Sequence, residues 1–296
     1  MTHSVRYIVV TPVRNEERYF PHTVNSLVSQ TICPAMWVVV DDGSTDRTGK
    51  IADAAAEDHA WVRVVHRPDR GFREPGTGVV AAFYDGLTLA ELDGAEFIVK
   101  LDGDLVFPPD FFERCFAHFE ESPRLGIGGG LICQGEDGAL AIDSAGDPSF
   151  HVRGATKIYR RACWEEIGGL IPAPGWDTVD ELKANMLGWT TRTFNELPVH
   201  QLKATGSADG SWRNWVKNGR ANYVTGYHPA FMLCKCLKRL IERPFGVAGV
   251  GLFFGFVSGY FGAASRLEDK ELIRFLRREQ FRKLTLRRSL WTAEQK

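Results

Sequence analysis

The sequence lacks an excess of either charge, a paired-cysteine framework and an apolar leader. Its 36 basic and 37 acidic side chains leave a net charge of -1. So near-neutral a balance argues against a general nucleic-acid binder, which would carry a basic stripe. The cysteines, Cys33, Cys115, Cys133, Cys163, Cys234 and Cys236, form no CxxC pair and no disulfide-like pattern, and they read as buried thiols in a reducing compartment. Met1 to Arg6 holds no apolar stretch ahead of the first strand-like run, so no cleaved signal peptide is expected. What is present is 296 residues, 44% of them hydrophobic, which is enough for a sizeable core and argues against disorder.

The apolar runs alternate with helical patterns. Tyr7 to Val10, stopped by Pro12, reads as a central parallel strand buried on both faces. Asn15 is a candidate N-cap for a helix with Glu16 and Glu17 in its first turn, presenting Phe20, Val24, Leu27 and Val28 on one face. Trp37 to Val40 is the next strand, and it runs into Asp41-Asp42-Gly43-Ser44-Thr45-Asp46, where Ser44 or Thr45 is a candidate cap for the following helix. Trp61 to His66, an arginine- and glycine-rich loop over 67–78 and a helix through Phe83 and Leu87 lead to Glu96-Phe97-Ile98-Val99-Lys100-Leu101-Asp102-Gly103-Asp104. This βαβ alternation predicts a doubly wound sheet, in which ligands bind outside the carboxyl ends of the strands. Asp41, Asp42, Asp102 and Asp104 all fall at such ends. Acidic groups gathered at one sheet edge repel one another unless a cation or a hydrogen-bonding ligand offsets the repulsion, and a sparse Asp-x-Asp suits a hard cation shared with a diphosphate.

Further along, Pro109 and Asp110 start a helix bearing Phe112, Cys115, Phe116 and Phe119, and a glycine-rich strand covers 126–133. Residues 134–150 have no firm assignment; 151–161 read as a strand, Ala162 to Ile167 as a short helix, Trp176 to Gly188 as a loop and helix, and Thr190 to Phe194 as a last strand.

Four motifs in this order, Val10-Thr11-Pro12-Val13-Arg14-Asn15-Glu16, Val40-Asp41-Asp42-Gly43-Ser44-Thr45-Asp46, Leu101-Asp102-Gly103-Asp104, and Arg153-Gly154 ahead of Gly168-Gly169 and Trp176-Asp177, resemble family 2 glycosyltransferases over residues 5 to 200. The resemblance implies a GT-A fold, a doubly wound, mixed but mostly parallel sheet with helices on both faces, and an inverting, metal-dependent enzyme that uses a nucleotide diphosphate sugar. By that resemblance Thr11, Pro12 and Glu16 line the base and ribose, Asp41 or Asp42 hydrogen-bonds the base, Asp102 is a ribose or metal ligand, and Asp104 binds Mg²⁺ or Mn²⁺ directly. Arg70 and Arg73, with Arg153 and His200, are candidate phosphate or acceptor contacts. For the base that takes the acceptor's proton, the family usually carries Glu-Asp where this chain has Trp176-Asp177; Asp177 is the favoured candidate, with Asp180 or Glu181 one turn further on. No Gln-x-x-Arg-Trp motif follows, since Ser211-Trp212-Arg213-Asn214-Trp215 is a different sequence, so a single addition onto a lipid-linked or glycan acceptor in cell-envelope or polysaccharide synthesis is expected rather than polymerisation. A sugar nucleotidyltransferase, the runner-up, needs a glycine-rich loop after the first strand, which 11–15 lacks; a non-catalytic nucleotide-sugar binder is the third reading.

The expected division is a catalytic domain over 1–205 and a helical region over 206–296, aromatic and basic at first and then glycine-rich and apolar. Phe231 to Ile241 interleaves leucines with Lys235, Lys238 and Arg239, and Phe245 to Ala264 is uncharged for about twenty residues. Gly251, Gly255, Gly259 and Gly262 have small-xxx-small spacing. These features predict membrane association through 229–290, with 245–264 spanning, lying in the interface or buried in a helical hairpin, and a location at the cytoplasmic face of the membrane.

Overall fold

The computed structural model describes residues 5–72, 76–135, 141–143, 146–203, 210–241, 245–262 and 266–292. Four successive residues, Tyr7 to Val10, have no exposed surface, a burial that only the middle of a doubly covered sheet provides. Accordingly β1 (Tyr7–Val13) lies between two parallel neighbours, β2 (Met36–Asp41) and β4 (Phe97–Leu101), with β3 (Val62–His66) outside β2. The sheet continues past β4 through antiparallel β8 (Thr156–Arg160) to β6 (Leu125–Gln134), β9 (Thr190–Gln201) and β5 (Leu105–Val106), and the two-residue β7 (Ala141–Ile142) pairs with β6. It is therefore mixed, and its longest registers, β1 with β2 and β6 with β9, are parallel. Because β1 to β4 share one direction, Val13, Asp41, His66 and Leu101 end along one edge.

Helices cover both faces. Phe20 and Leu27 of α1 (Phe20–Val28), Ala52 of α2 (Thr48–Asp58) and the phenylalanines of α4 (Phe111–Glu121) pack with Val9. Val80 and Phe83 of α3 (Thr77–Leu89), Cys163 of α5 (Arg161–Ile167) and Trp176 of α6 (Trp176–Met186) pack with Val10 on the other side. The alternation of Val9 and Val10 between cores follows from the two-residue period of a strand.

Several local expectations are corrected. Asn15 is not an N-cap: its φ is +53° and α1 starts five residues later, with proline in its first turn. Nor do Ser44 or Thr45 cap α2, whose first amide, Thr48 N, is held by Asp46 Oδ1 at 2.9 Å. The reason is shared, because the two loops use these groups on each other: Asn15 N donates to Ser44 Oγ at 3.0 Å and Thr45 N to Asn15 Oδ1 at 2.8 Å. The strand expected over 151–161 covers only Thr156–Arg160. Cys33 and Cys234 are exposed rather than buried, and all six thiols are free.

The C-terminal part consists of α7 (Gly210–Val224), α8 (Pro229–Leu240), α9 (Val247–Phe261) and α10 (Lys270–Leu284). Tyr227, Met232, Leu252 and Leu272 form a third core with Phe150, Val179 and Leu182. With 15 residues, α9 is about 22 Å long, short of a bilayer's hydrocarbon core of about 30 Å. Among the described residues no helix is long and apolar enough to cross a membrane, which overturns the spanning alternative. The glycines of α9 serve another contact. A Cβ on Gly255 would lie 2.0 Å from Val216 O, and one on Gly219 of α7 would lie 2.2 Å from Leu252 O, so the two helices touch backbone to backbone. Gly251 and Gly259 instead make room for the Trp215 and Tyr223 side chains of α7, whereas Gly262 meets only Ser258 of its own helix.

Candidate active site

The strand ends make a charged cleft. Asp41 at the end of β2 accepts from Ser44 N at 2.9 Å and pairs with His66 Nδ1 at 3.0 Å, while His66 Nε2 reaches Asp53 at 2.9 Å. These carboxylates raise the His66 pKa above its ordinary value, hydrogen bonding to Asp53 being the larger contribution. Asp42 is gripped by Arg67 and by Arg70, whose Nη2 lies 2.6 Å from Oδ2. Arg14 clasps the same turn, Nη1 donating to Asp42 O and Nη2 to Asp69, each at 2.6 Å. Gly43 is required there: its φ is +73° and a Cβ would stand 2.6 Å from Asp69 Cα.

Asp102 and Asp104 leave β4 in opposite environments. Asp102 remains partly open and accepts from Lys100 Nζ, a buried ammonium that also donates to Gly154 O at 2.7 Å. Asp104 is 6% exposed. Burial first, then the Asp102 and Glu16 charges, push its carboxyl up to about 7, against the pull of Gln201 and Lys203. Gln201 Nε2 lies 3.2 Å from Asp104 Oδ2, Leu202 N donates to Asp104 O at 2.8 Å, and Lys203 Nζ sits 2.8 Å from Glu16 Oε1. The residue between the two aspartates must be glycine, since a Cβ on Gly103 would lie 2.4 Å from Val13 Cγ1.

Across β8 lies a buried ionic group. Lys157, with no exposed surface, pairs with Asp180 at 2.9 Å and Glu181 at 2.8 Å, and Tyr159 Oη donates to Asp180 at 2.6 Å. Glu181 also accepts from Val152 N at 2.7 Å and pairs with His151 Nδ1 at 2.9 Å. Burial lifts the Asp180 carboxyl to about 6, with Lys157 and Tyr159 pulling it back. Lys157 donates besides to the backbone oxygen of Asp177 in the first turn of α6. The Asp177 carboxylate itself accepts no hydrogen bond among the described residues. It stands against Gly154, where a Cβ would be 3.5 Å from Asp177 Cβ and 3.1 Å from the Trp176 ring. The Trp176 ring lies 5.4 Å from Lys100 Nζ and 5.6 Å from Lys157 Nζ. A continuous path of contacts thus runs from Asp102 through Lys100 and Gly154 to Asp177.

The sequence pattern described as glycosyl transferase family 2 matches residues 8–161, which contain every strand-end carboxylate of this cleft. The chain belongs to glycosyltransferase family 2. It is 30% identical over 113 residues to the glycosyltransferase GlyG of Streptococcus pneumoniae, 38% of this chain and 35% of that one. It is 31% identical over 125 residues to the polyprenol monophosphomannose synthase of Mycolicibacterium smegmatis, 42% of this chain and 44% of that one. The matches span less than half the length of these curated relatives. In fold, this glycosyltransferase is similar to the mannosyltransferase PcManGT from Pyrobaculum calidifontis, solved with GDP-Man and Mn²⁺, at a TM-score of 0.61, 17% identity and 88% coverage of each chain. It is also similar to Staphylococcus aureus TarS 1–349 with UDP-GlcNAc, at a TM-score of 0.55 and 17% identity, covering 88% of this chain and 74% of that one.

In this family 2 glycosyltransferase the fold brings Pro12, Glu16, Asp41, Asp42, Asp102, Asp104 and Arg70 to one edge. Thr11 differs: fully buried, it accepts from Trp37 Nε1 at 2.9 Å inside the core, so its side chain supports β1 instead of lining a pocket. Asp180 and Glu181, both proposed as alternatives for the base, are buried in the ionic group of Lys157. Arg153 pairs with Asp143 at 2.6 Å, and His200 reaches Gly135 O at 3.1 Å. Arg73 lies outside the described residues. Sequence reasoning passed over Arg14, Lys100, Lys157 and Lys203. The signal for two of them was a lysine inside an otherwise apolar strand, Ile98-Val99-Lys100-Leu101 and Ala155-Thr156-Lys157-Ile158-Tyr159, because a buried lysine needs a partner.

Proposed function

We propose that this glycosyltransferase moves a single sugar, with inversion, from a nucleotide diphosphate sugar to a lipid-linked or glycan acceptor, and that a divalent metal assists it. The observation that carries this reading is the path Asp102–Lys100–Gly154–Asp177, which ties a nucleotide-side carboxylate to an open carboxylate at a fixed remove. The UDP-GlcNAc of TarS and the GDP-Man of PcManGT support a nucleotide-sugar donor here.

The residues fit a metal in the following sense. Asp104 is a buried carboxylate pushed up to about 7 by burial and by its acidic neighbours, an environment that a cation relieves. Among the described residues no cluster of three or more ligating side chains forms a ready cage; hard cations such as Mg²⁺ accept that, taking water and diphosphate oxygens in their other positions. Asp104 would hold it, with the Asp102 oxygen that Lys100 leaves over. Such an ion, when bound, supplies charge neutralisation for the departing diphosphate.

Asp42, braced by Arg67, Arg70 and Arg14, accepts from the base, Pro12 and Glu16 border it, and Asp102 serves the ribose. Asp177 takes the proton of the acceptor hydroxyl as its oxygen bonds to the anomeric carbon; the bond from that carbon to the diphosphate oxygen breaks on the opposite face and the nucleoside diphosphate leaves. Asp180 is an unsuitable base because Lys157 and Tyr159 already occupy its oxygens. The absence of Gln-x-x-Arg-Trp supports single addition. We also propose that the C-terminal helices dock on the cytoplasmic face of an anionic membrane, since Leu233, Leu237 and Ile241 are exposed on or next to the helix that carries Lys238 and Arg239, and Phe245 and Phe261 are exposed further along.

Asp104→Ala tests the core of the reading: nucleotide-sugar turnover and metal-dependent binding of nucleotide diphosphates should both vanish while the thermal unfolding transition is retained. Retained turnover overturns it.

A further inference from the structure

Beside the loop that leads into Asp177, the molecule has an unassigned groove of about 400 Å³. Trp212, Arg213, Lys217 and Arg220 of α7, Phe254 of α9 and Pro174 line it. Arg213 and Lys217 are four apart and Lys217 and Arg220 three apart, with Trp212 next to Arg213, so they share one helical face. Trp212 and Phe254 are 45% and 56% exposed, and their rings lie 6.2 Å apart. Neither Arg213 nor Arg220 forms an ion pair with a carboxylate among the described residues. Cations along α7 and exposed aromatic surface shared between Trp212 and Phe254 describe the complement of an amphiphile with an anionic head. The apolar side extends beyond the groove, because Val250, Phe253 and Phe254 form an exposed strip along α9 at i, i+3, i+4 spacing.

The groove is coupled to the candidate base. Pro174, on its wall, is three residues before Asp177, and the intervening Gly175 packs on the end of α7 and the residue after it, where an added Cβ would lie 3.5 Å from Ala221 Cβ and 3.0 Å from Thr225 Oγ1. The α7–α9 contact fixes the other wall, because Gly219 and Gly255 leave the two backbones no room to slide.

We infer that this groove is the acceptor site, and that it takes an acceptor carrying a phosphate or diphosphate on an apolar chain: Arg213, Lys217 and Arg220 hold the anionic head, Trp212 and Phe254 the first part of the chain. The inference rests on the glycosyltransferase reading and commits it to the lipid-linked class of acceptor. Arginine suits the head because its planar donor fork meets phosphate oxygens in pairs, and where that phosphate carries a first sugar, the sugar's hydroxyl is the group offered to Asp177 past Pro174.

The test is calorimetric titration of the full chain with farnesyl phosphate below its micellar concentration, with farnesol and inorganic phosphate as the two half-ligands. Farnesyl phosphate should bind about tenfold or more tighter than either half. Arg213→Ala combined with Arg220→Ala should weaken it by a further factor of about ten, and the corresponding double substitution to Lys, which keeps the charge but loses the paired donors, should restore only part of that loss. Trp212→Ala should weaken farnesol and farnesyl phosphate alike. Equal binding of farnesol and farnesyl phosphate reduces the groove to an apolar patch and overturns the inference. So does tight binding of inorganic phosphate alone, or binding indifferent to the arginine substitutions. Binding of nucleotide diphosphate by the same wild-type preparation separates the two failures: if it persists while farnesyl phosphate fails, only the acceptor assignment falls, and if it is absent, the glycosyltransferase reading falls with it.

Discussion

Two carboxylates one turn apart on α6 have opposite fates, and the difference decides what each substitution does. Asp180 is enclosed with Lys157 and Tyr159, whereas Asp177 faces Gly154 and its carboxylate accepts no hydrogen bond among the described residues. Asp177→Asn should therefore lower kcat by about 10²–10⁴-fold with little change in unfolding, as steady-state kinetics and thermal melts would record. Asp180→Asn should instead destabilise the protein by about 3–5 kcal/mol, because it breaks a buried pair and leaves Lys157 under-compensated, measurable by chemical denaturation; unaltered stability would contradict the burial of that pair. At this scale the sequence was informative about residue type and poor about partners. The acidic strand ends could be read directly, since each follows an apolar run. That Thr11 turns into the core, or that Lys100 anchors Asp102, depends on strand alternation and cross-strand neighbours, which no local pattern contains.

Among the elements, β1 to β4 and the helices between them were legible because parallel strands buried on both faces are continuous apolar runs and the helices are amphipathic. Helix starts were less so. Asn15, Ser44 and Asp46 are all good capping types, and a contact between two loops decides which of them caps. The antiparallel half was harder still: β5 and β7 have two residues each, and their existence depends on the partners β9 and β6. Glycine spacing in α9 was visible, but its counterpart was not, since α7 supplies its own glycine and backbone across the contact. Gly255→Val should cost at least about 1–3 kcal/mol by forcing the helices apart, seen as a lowered denaturation midpoint. A variant as stable as the parent would mean that α7 and α9 do not touch there.

For the molecule as a whole, the uncharged run that suggested a crossing is divided between a packed face toward α7 and an exposed face of Val250, Phe253 and Phe254. A chain lying on a bilayer by exposed aromatics and basic residues is held partly by charge, so it should leave membranes rich in phosphatidylglycerol at high salt without detergent. Vesicle co-sedimentation across a salt series checks this, and binding unaffected by both salt and lipid charge would count against it. The chain comes back to its first strand ends only at the close of β9. Asp104 receives hydrogen bonds from Gln201 and Leu202, and Glu16 receives Lys203. On the ribosome, Glu16 and Asp104 emerge early and wait, as an unbalanced acidic pair, until about two thirds of the 296 residues have been made. These contacts therefore form late in synthesis, with the last strand, and a nascent chain that stalls before β9 carries the recognisable motifs of the family without them.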